Sequence, residues 1–200
     1  MISKKLPEYT LELYDPKTES SKKINLPKDI SGHFTLLFFY PADFTFVCPT
    51  ELADLHKRSA EFEKLDLKVI VASTDTVFTH KAWIETEELL HGFDYPMIAD
   101  HNGSFSRALG IYNEETGVAR RGSFIIDPDG IVRATYHVES NIGRSAGEIL
   151  RLAKALKFVR ENPGAACPAS WDEGRATLAP GLKIVGHVGA ELQKAEKAKS

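Results

Sequence analysis

Two hundred residues are enough for one ordinary domain with a short extension, and a chain of that length buries roughly 70% of its unfolded surface without a disulfide or metal to hold it. Hydrophobic residues at 42% and charged residues at 26% make a globular balance, not a disordered one. With 25 basic against 28 acidic residues the net charge is −3, which gives no electrostatic pull toward nucleic acid or an anionic membrane.

In chain order, MISKKLPEYTLELYDPK lacks the apolar stretch of a secretory signal, and no run approaches the roughly 20 residues of a membrane span. A cytoplasmic protein is expected. Residues 34–40, FTLLFFY, form an apolar run of strand length, as in a central strand covered on both faces. The run stops at Pro41, and a short polar and aromatic loop, 42–47, follows. CPTELADLHKRSAEFEKL then reads as a helix with Leu52, Leu55 and Phe62 on one face, broken by Ser59. Pro49 suits the first helical turn, where its missing N–H is not needed. LKVIVAST (67–74) is a second buried strand, VFTHKAWIETEELL (77–90) a helix and YPMIAD (95–100) a shorter strand. SFSRALG (104–110) is a short helix ending on Gly110. RGSFIID (121–127) and IVRATYHV (131–138) flank Pro128-Asp129-Gly130, a hairpin signal. Residues 145–160 form a helix with a capping box, Ser145 to Glu148, and an apolar face of Ala146, Ile149, Leu150, Ala153 and Leu156.

Buried strands alternating with helices and closed by a hairpin predict an α/β fold with a mixed central sheet. After Asn162-Pro163-Gly164 the periodicity is lost. The expected organisation is a domain over 1–162 and a C-terminal extension over 163–200 that ends in a solvated tail.

The chain has two cysteines, Cys48 and Cys167. A secreted disulfide scaffold carries more in a shorter chain, and the histidines make no HExxH or CxxC-type pattern, so no metal is expected. Cys48 falls where a buried strand ends and a helix begins. The free N–H groups and positive end of a helix favour a thiolate there. An ordinary thiol is only roughly 3% ionised at neutral pH, and lowering its pKa to about 6 takes on the order of 3.4 kcal/mol. A helix end supplies about 0.3–2 kcal/mol. A cation from elsewhere in the fold, most naturally an arginine, must supply the rest. Thioredoxin-like folds carry C-x-x-C at this junction; here the first position is Thr45. The missing local thiol argues against dithiol chemistry and points to an oxygen electrophile.

PADFTFVCPTE (41–51) contains Pro-x-x-x-Thr-x-x-Cys, and through it the chain resembles the typical two-cysteine peroxiredoxins. Arg121 in RRGSFIIDPDG, Arg144 in IGRSAGE and Cys167 in ACPASW match in order, and ATLAPGLKIVG resembles the ending of the bacterial alkyl hydroperoxide reductase branch. The resemblance implies a thioredoxin-like fold and, with no cofactor in the protein itself, reduction of hydrogen peroxide and small organic hydroperoxides. Cys48 would be the nucleophile that becomes a sulfenic acid. Thr45 would hold the thiolate and the peroxide, and Arg121 would stabilise the charge on the reacting oxygens. Pro41 would shield the pocket, and Glu51 and Arg144 would orient Arg121. Cys167 of the partner subunit would resolve the sulfenic acid to a disulfide, which a flavoprotein disulfide reductase or thioredoxin then reduces. A homodimer, assembling as a decamer of five dimers, is implied too. Arg120 is expected in solvent, because neighbours on a strand point to opposite faces. Trp83 and Trp171 are expected to pack.

The family members most easily inactivated by peroxide carry a Gly-Gly-Leu-Gly loop and a C-terminal Tyr-Phe helix. This chain has HGFDYP after Leu90 and ends KAEKAKS, so a peroxide-robust enzyme is expected. Two rivals remain: a holdase-type chaperone assembly, indifferent to loss of Cys48, and a thiol-disulfide oxidoreductase.

Overall fold

The structure, a computed structural model, describes residues 1–198. The chain forms two compact units, Met1–Ala146 and a second that starts at Gly147.

The run FTLLFFY is strand β3 (Phe34–Phe39), and all of its residues are buried. Alternation sends Leu37 and Phe39 to one face, where they join Ile70, Ile98, Phe105, Phe124 and Ile126 in one apolar cluster. Leu36 and Phe38 point the other way and are equally buried. Each such side chain contributes about 1.5–3 kcal/mol, which fixes where β3 stops and the chain must turn. Helices α1 (Cys48–Lys57) and α2 (Ser59–Lys64) then return the chain to β4 (Leu67–Ser73), which pairs parallel with β3. The break falls at Arg58, one residue before the expected Ser59, where the backbone at φ −104° and ψ 19° leaves the helical region.

Helix α3 (Val77–Thr86) begins at Thr76, whose hydroxyl accepts from the Thr79 N–H at 3.3 Å. It is shorter than expected, because Glu87 is extended and Glu88–Leu90 forms a separate 3-10 turn. Strand β5 (Met97–Ala99) pairs parallel with β4, and α4 (Ser104–Ala108) is followed by Gly110 at φ +72°. Strands β6 (Tyr112–Asn113) and β7 (Val118–Ala119) make a separate ribbon. The predicted hairpin is β8 (Arg121–Ile126) and β9 (Val132–Val138), and β8 pairs antiparallel with β3.

A hairpin that the sequence reading left unassigned, Tyr9–Asp15 with Ser20–Leu26, extends the other side of the sheet. Its members take the labels β1 and β2 in chain order. The sheet order is β2-β1-β5-β4-β3-β8-β9, a mixed sheet with β3 well inside it. The C-terminal end of that inner strand is where the candidate site lies, as is usual for sheets with parallel strands.

In the second unit, α5 (Ala146–Glu161) buries Ile149, Leu150 and Ala153 from the predicted apolar face. Ala166 and Leu178 then pair by two backbone hydrogen bonds of 2.8 and 2.9 Å. They close a loop whose Trp171 ring lies 4.9 Å from that of Phe158. Both tryptophans are buried, as expected. The expected solvated tail is helical over α6 (Val188–Lys197), which has no buried residue. No helix of the described residues is long and apolar enough to cross a membrane.

Candidate active site

Cys48 is the first residue of α1, and its sulfur is sealed from solvent at 0% exposure. Glu51, one turn on, occupies the first turn, where a carboxylate is favoured by the helix dipole. Arg121 opens β8 with its side chain on the same side of the strand as Ser123, two residues on. From there Nη1 of Arg121 donates to Cys48 Sγ at 3.3 Å and to Glu51 Oε2 at 2.6 Å. Its Nε donates to the Ser140 carbonyl at 2.8 Å.

Arg144 grips the other side of the carboxylate. Its backbone N–H and Nε each lie 2.9 Å from Glu51 Oε1, and Nη2 lies 3.2 Å from Oε2. The rest of its guanidinium is held by Ser123 Oγ at 3.0 Å and by the Phe39 carbonyl at 2.7 Å, over the Phe38 ring at 3.5 Å. Burial pushes the Arg144 guanidinium down from its ordinary value, and the hydrogen bond to Glu51 opposes the shift. Four donor contacts fill the Glu51 carboxylate, so it is fixed in place and Arg121 with it. The charge count decides what this cluster is for. Two buried guanidiniums face one buried carboxylate, and an uncompensated buried charge is costly. The positive charge left over lies beside Cys48 Sγ, the atom that Arg121 Nη1 touches at 3.3 Å.

A cleft of ≈ 190 Å³ leads in from the surface and is lined by Pro41, Val118, Arg121, Val138 and Ser140. Drug-sized sites occupy about 300–1,000 Å³; a peroxide group is far smaller. Cys48 does not line the cleft but lies behind Arg121. Thr45 donates its hydroxyl hydrogen to the Ala42 carbonyl at 2.8 Å, which leaves its oxygen lone pairs for other contacts. Arg120 is exposed. Six of the seven candidate residues, all but Cys167, thus come from the first unit. Cys48 and Glu51 bond Arg121, Arg144 holds Glu51, Pro41 lines the cleft beside Arg121, and Thr45 bonds the Ala42 carbonyl instead.

Cys167 is a free, part-buried thiol of the second unit, in the loop closed by Ala166 and Leu178. Burial pushes it up from the ordinary thiol value, and the Arg151 charge opposes that.

Three features escaped the sequence reading. Ser123 was legible, being two residues along the strand from Arg121. Ser140 acts only through its carbonyl, which no side-chain pattern announces. Gly143 matters through what it lacks: a Cβ there would lie 3.3 Å from Val47 Cγ1 and 3.6 Å from Glu51 Cγ. Close approach of this backbone lets the next residue, Arg144, reach Glu51. Gly143→Ala is expected to cost about 1–3 kcal/mol, as overpacking does. Urea denaturation measures it, and adding Val47→Ala should recover most of the loss; no recovery would mean the crowding lies elsewhere.

Asp43, Asp75 and His80 bring three metal-type donors together. Their geometry does not suit an ion. His80 Nδ1 and Asp43 Oδ2 are 2.7 Å apart, hydrogen-bonded to each other, whereas ligands about 2.1 Å from a tetrahedral zinc sit roughly 3.4 Å from one another.

Residues 2–135 match the AhpC/TSA family model. Alkyl hydroperoxide reductase C of Staphylococcus aureus is 43% identical over 188 residues, which cover 94% of this chain and 99% of that protein. The crystal structure of Enterococcus faecalis AhpC superposes with a TM-score of 0.79 at 37% identity, over 84% of this chain and 98% of the other. Reduced 2-Cys peroxiredoxin of Plasmodium vivax superposes with a TM-score of 0.88 at 29% identity, over 94% and 98%. The mixed sheet is therefore that of a thioredoxin-like fold. With the family model matched over about two thirds of its length and a relative at 43% identity, the chain belongs to the AhpC/TSA family as a peroxiredoxin, an enzyme that reduces peroxides with a thiol.

Proposed function

We propose that the protein reduces hydrogen peroxide and small alkyl hydroperoxides through Cys48, with Cys167 of the partner subunit as the resolving thiol. The observation that carries the reading is the Arg121 contact to Cys48 Sγ at 3.3 Å within a cluster that lacks one negative charge. The thiolate sulfur attacks one peroxide oxygen and the O–O bond breaks. Cys48 becomes a sulfenic acid, and the second oxygen leaves as water or alcohol after taking a proton. Arg121 stabilises the charge that grows on the departing oxygen. Thr45 and Pro41 orient the peroxide and keep water from it. Glu51, held by Arg144, sets the position of Arg121.

In the second half, the Cys167 thiol attacks the sulfenic sulfur, water leaves and a disulfide forms. A dithiol donor, either a flavoprotein disulfide reductase or thioredoxin, then returns both sulfurs to thiols. The cytoplasm, where thiols are kept reduced, is the setting this cycle fits. The assembly proposed with this cycle is a homodimer that builds a decamer, in which the partner subunit supplies the resolving thiol.

Steady-state peroxide consumption with each of the two donors tests the scheme. Cys48→Ser is expected to abolish turnover with both, and retained turnover would remove Cys48 from the chemistry. The chaperone rival predicts no dependence on Cys48, and the oxidoreductase rival predicts insulin reduction by the dithiol form.

A further inference from the structure

A second buried polar cluster, which the chemistry above does not use, lies beneath the loop that carries Pro41 and Thr45. Tyr40 and His80 are 0% exposed and Asp43 is 6% exposed. Tyr40 donates its hydroxyl to Asp43 Oδ1 at 2.6 Å, and His80 Nδ1 lies 2.7 Å from Asp43 Oδ2. The other ring nitrogen of His80 lies 3.2 Å from the Ile98 carbonyl. Nε2 donates its hydrogen to the Ile98 carbonyl, and one hydrogen shared between Nδ1 and Asp43 Oδ2 satisfies the other contact. A buried polar cluster paired in this way avoids an unmet desolvation cost.

The same loop is tied down twice more by its backbone. The Asp43 N–H donates to Asp75 Oδ2 at 2.8 Å, and Asp75 Oδ2 also accepts from Ser73 Oγ at 2.6 Å. Thr74 Oγ1 donates to the Pro41 carbonyl at 3.4 Å. Directly after these ties Phe44 sits at φ +55°, a left-handed conformation for a bulky residue. Such a conformation costs about 1–3 kcal/mol and persists only where neighbouring contacts over-determine it. Burial pushes the Asp43 carboxyl up from the ordinary carboxylate range, and the hydrogen bond from His80 opposes that. Asp43 is thus the anchor, drawn inward while Phe44 turns out to solvent.

We propose that Asp43 and His80 are positioning residues for the peroxide step, acting through the loop they anchor rather than through Cys48. The inference rests on the peroxidase reading above. None of the two residues' bonds reaches Cys48, Arg121 or Glu51; they reach Tyr40, the Asp75 region and the Ile98 carbonyl. Their effect therefore falls on where Pro41 and Thr45 meet the peroxide. Nucleophilicity of the sulfur is set by the separate Arg121, Glu51 and Arg144 cluster.

That separation gives the test. Asp43→Asn and His80→Gln are compared with wild type for the second-order rate of Cys48 with hydrogen peroxide and, separately, for its alkylation by iodoacetamide. Alkylation reports the thiolate but needs no peroxide placement. A displacement of about 1 Å in reacting geometry costs up to a hundredfold, so the peroxide rate is expected to fall by about ten- to a hundredfold. The alkylation rate and its pH profile should stay within about twofold of wild type. Tyr40→Phe, which removes one hydroxyl and keeps the Asp43 to His80 bond, serves if either variant fails to fold. A smaller loss in the same sense is expected there. Peroxide rates at the wild-type level in the folded variants would overturn the proposal, and so would an equal fall in both rates. Failure of the peroxidase reading is distinct: wild type would then not react with peroxide at all.

Discussion

Arg121→Ala is expected to slow the reaction of Cys48 with hydrogen peroxide by about a thousandfold or more. Loss of one hydrogen-bond donor aimed at a developing oxyanion costs on the order of 10²–10³ in rate. Arg121 does more than donate. It is the guanidinium in contact with both Cys48 Sγ and Glu51 Oε2. Without it, Arg144 and Glu51 neutralise each other, and a thiolate at Cys48 becomes an unpaired buried anion. Burying an unpaired charge costs several kcal/mol, so alkylation of Cys48 in the variant should fall together with the peroxide rate. That joint fall separates Arg121 from Asp43 and His80, whose loss spares alkylation. Arg121→Lys restores a charge but not the fork that spans sulfur, carboxylate and the Ser140 carbonyl, so recovery should be partial. Stopped-flow rates of the reduced variants with peroxide measure all of this; a near-normal rate in Arg121→Ala would take the residue out of the site.

The parts of the fold that the sequence made legible are those whose burial is local and periodic. FTLLFFY had to be an inner strand, and Pro128-Asp129-Gly130 had to turn, so both appeared where expected. The hairpin of β1 and β2 went unassigned for a physical reason. In β2 the residues Ser20, Ser21, Lys22 and Lys23 are all exposed, as suits an edge strand protected by charge. Only Ile24 and Leu26 mark the buried face. Helix α6 went unassigned because its stretch is rich in Lys, Glu and Ala and buries no residue, so it read as a solvated tail.

The site divides in the same way. Placement of Cys48 at a strand-to-helix junction was readable from local pattern, and so was the need for a cation. Which cation was not: Arg121 and Arg144 lie 73 and 96 positions along the chain (121 − 48 and 144 − 48), and only the peroxiredoxin motif singled them out. The Tyr40, Asp43 and His80 cluster carried no such flag, since its members meet only once α3 folds across the sheet. Long-range polar contacts of this kind are set by tertiary packing, which periodicity does not report.

Cys167→Ser is expected to convert a turning-over enzyme into one that reacts once. Peroxide consumption should stop after about one equivalent per Cys48, because the sulfenic acid then has no thiol to condense with. Non-reducing gels should show no covalent dimer, and mass spectrometry should find Cys48 advancing to sulfinic acid as peroxide is raised. Wild type, in contrast, should keep Cys48 largely unmodified through turnover, since the Cys167 thiol traps the sulfenic acid before a second peroxide does. The loop that holds Cys167 sets the pH dependence. Its closure by Ala166 and Leu178, and the Trp171 side chain packed on Phe158 with Nε1 donating to the Arg175 carbonyl at 3.2 Å, keep the thiol part-buried. Burial raises its pKa, with Arg151 opposing. The neutral thiol is therefore the form present at neutral pH, and the thiolate that attacks grows tenfold per pH unit below that raised value. Disulfide formation in wild type should accelerate with rising pH. A covalent dimer that still forms in Cys167→Ser would show that another group resolves the sulfenic acid, and a resolution rate indifferent to pH would show that Cys167 leaves its loop as a thiolate already formed.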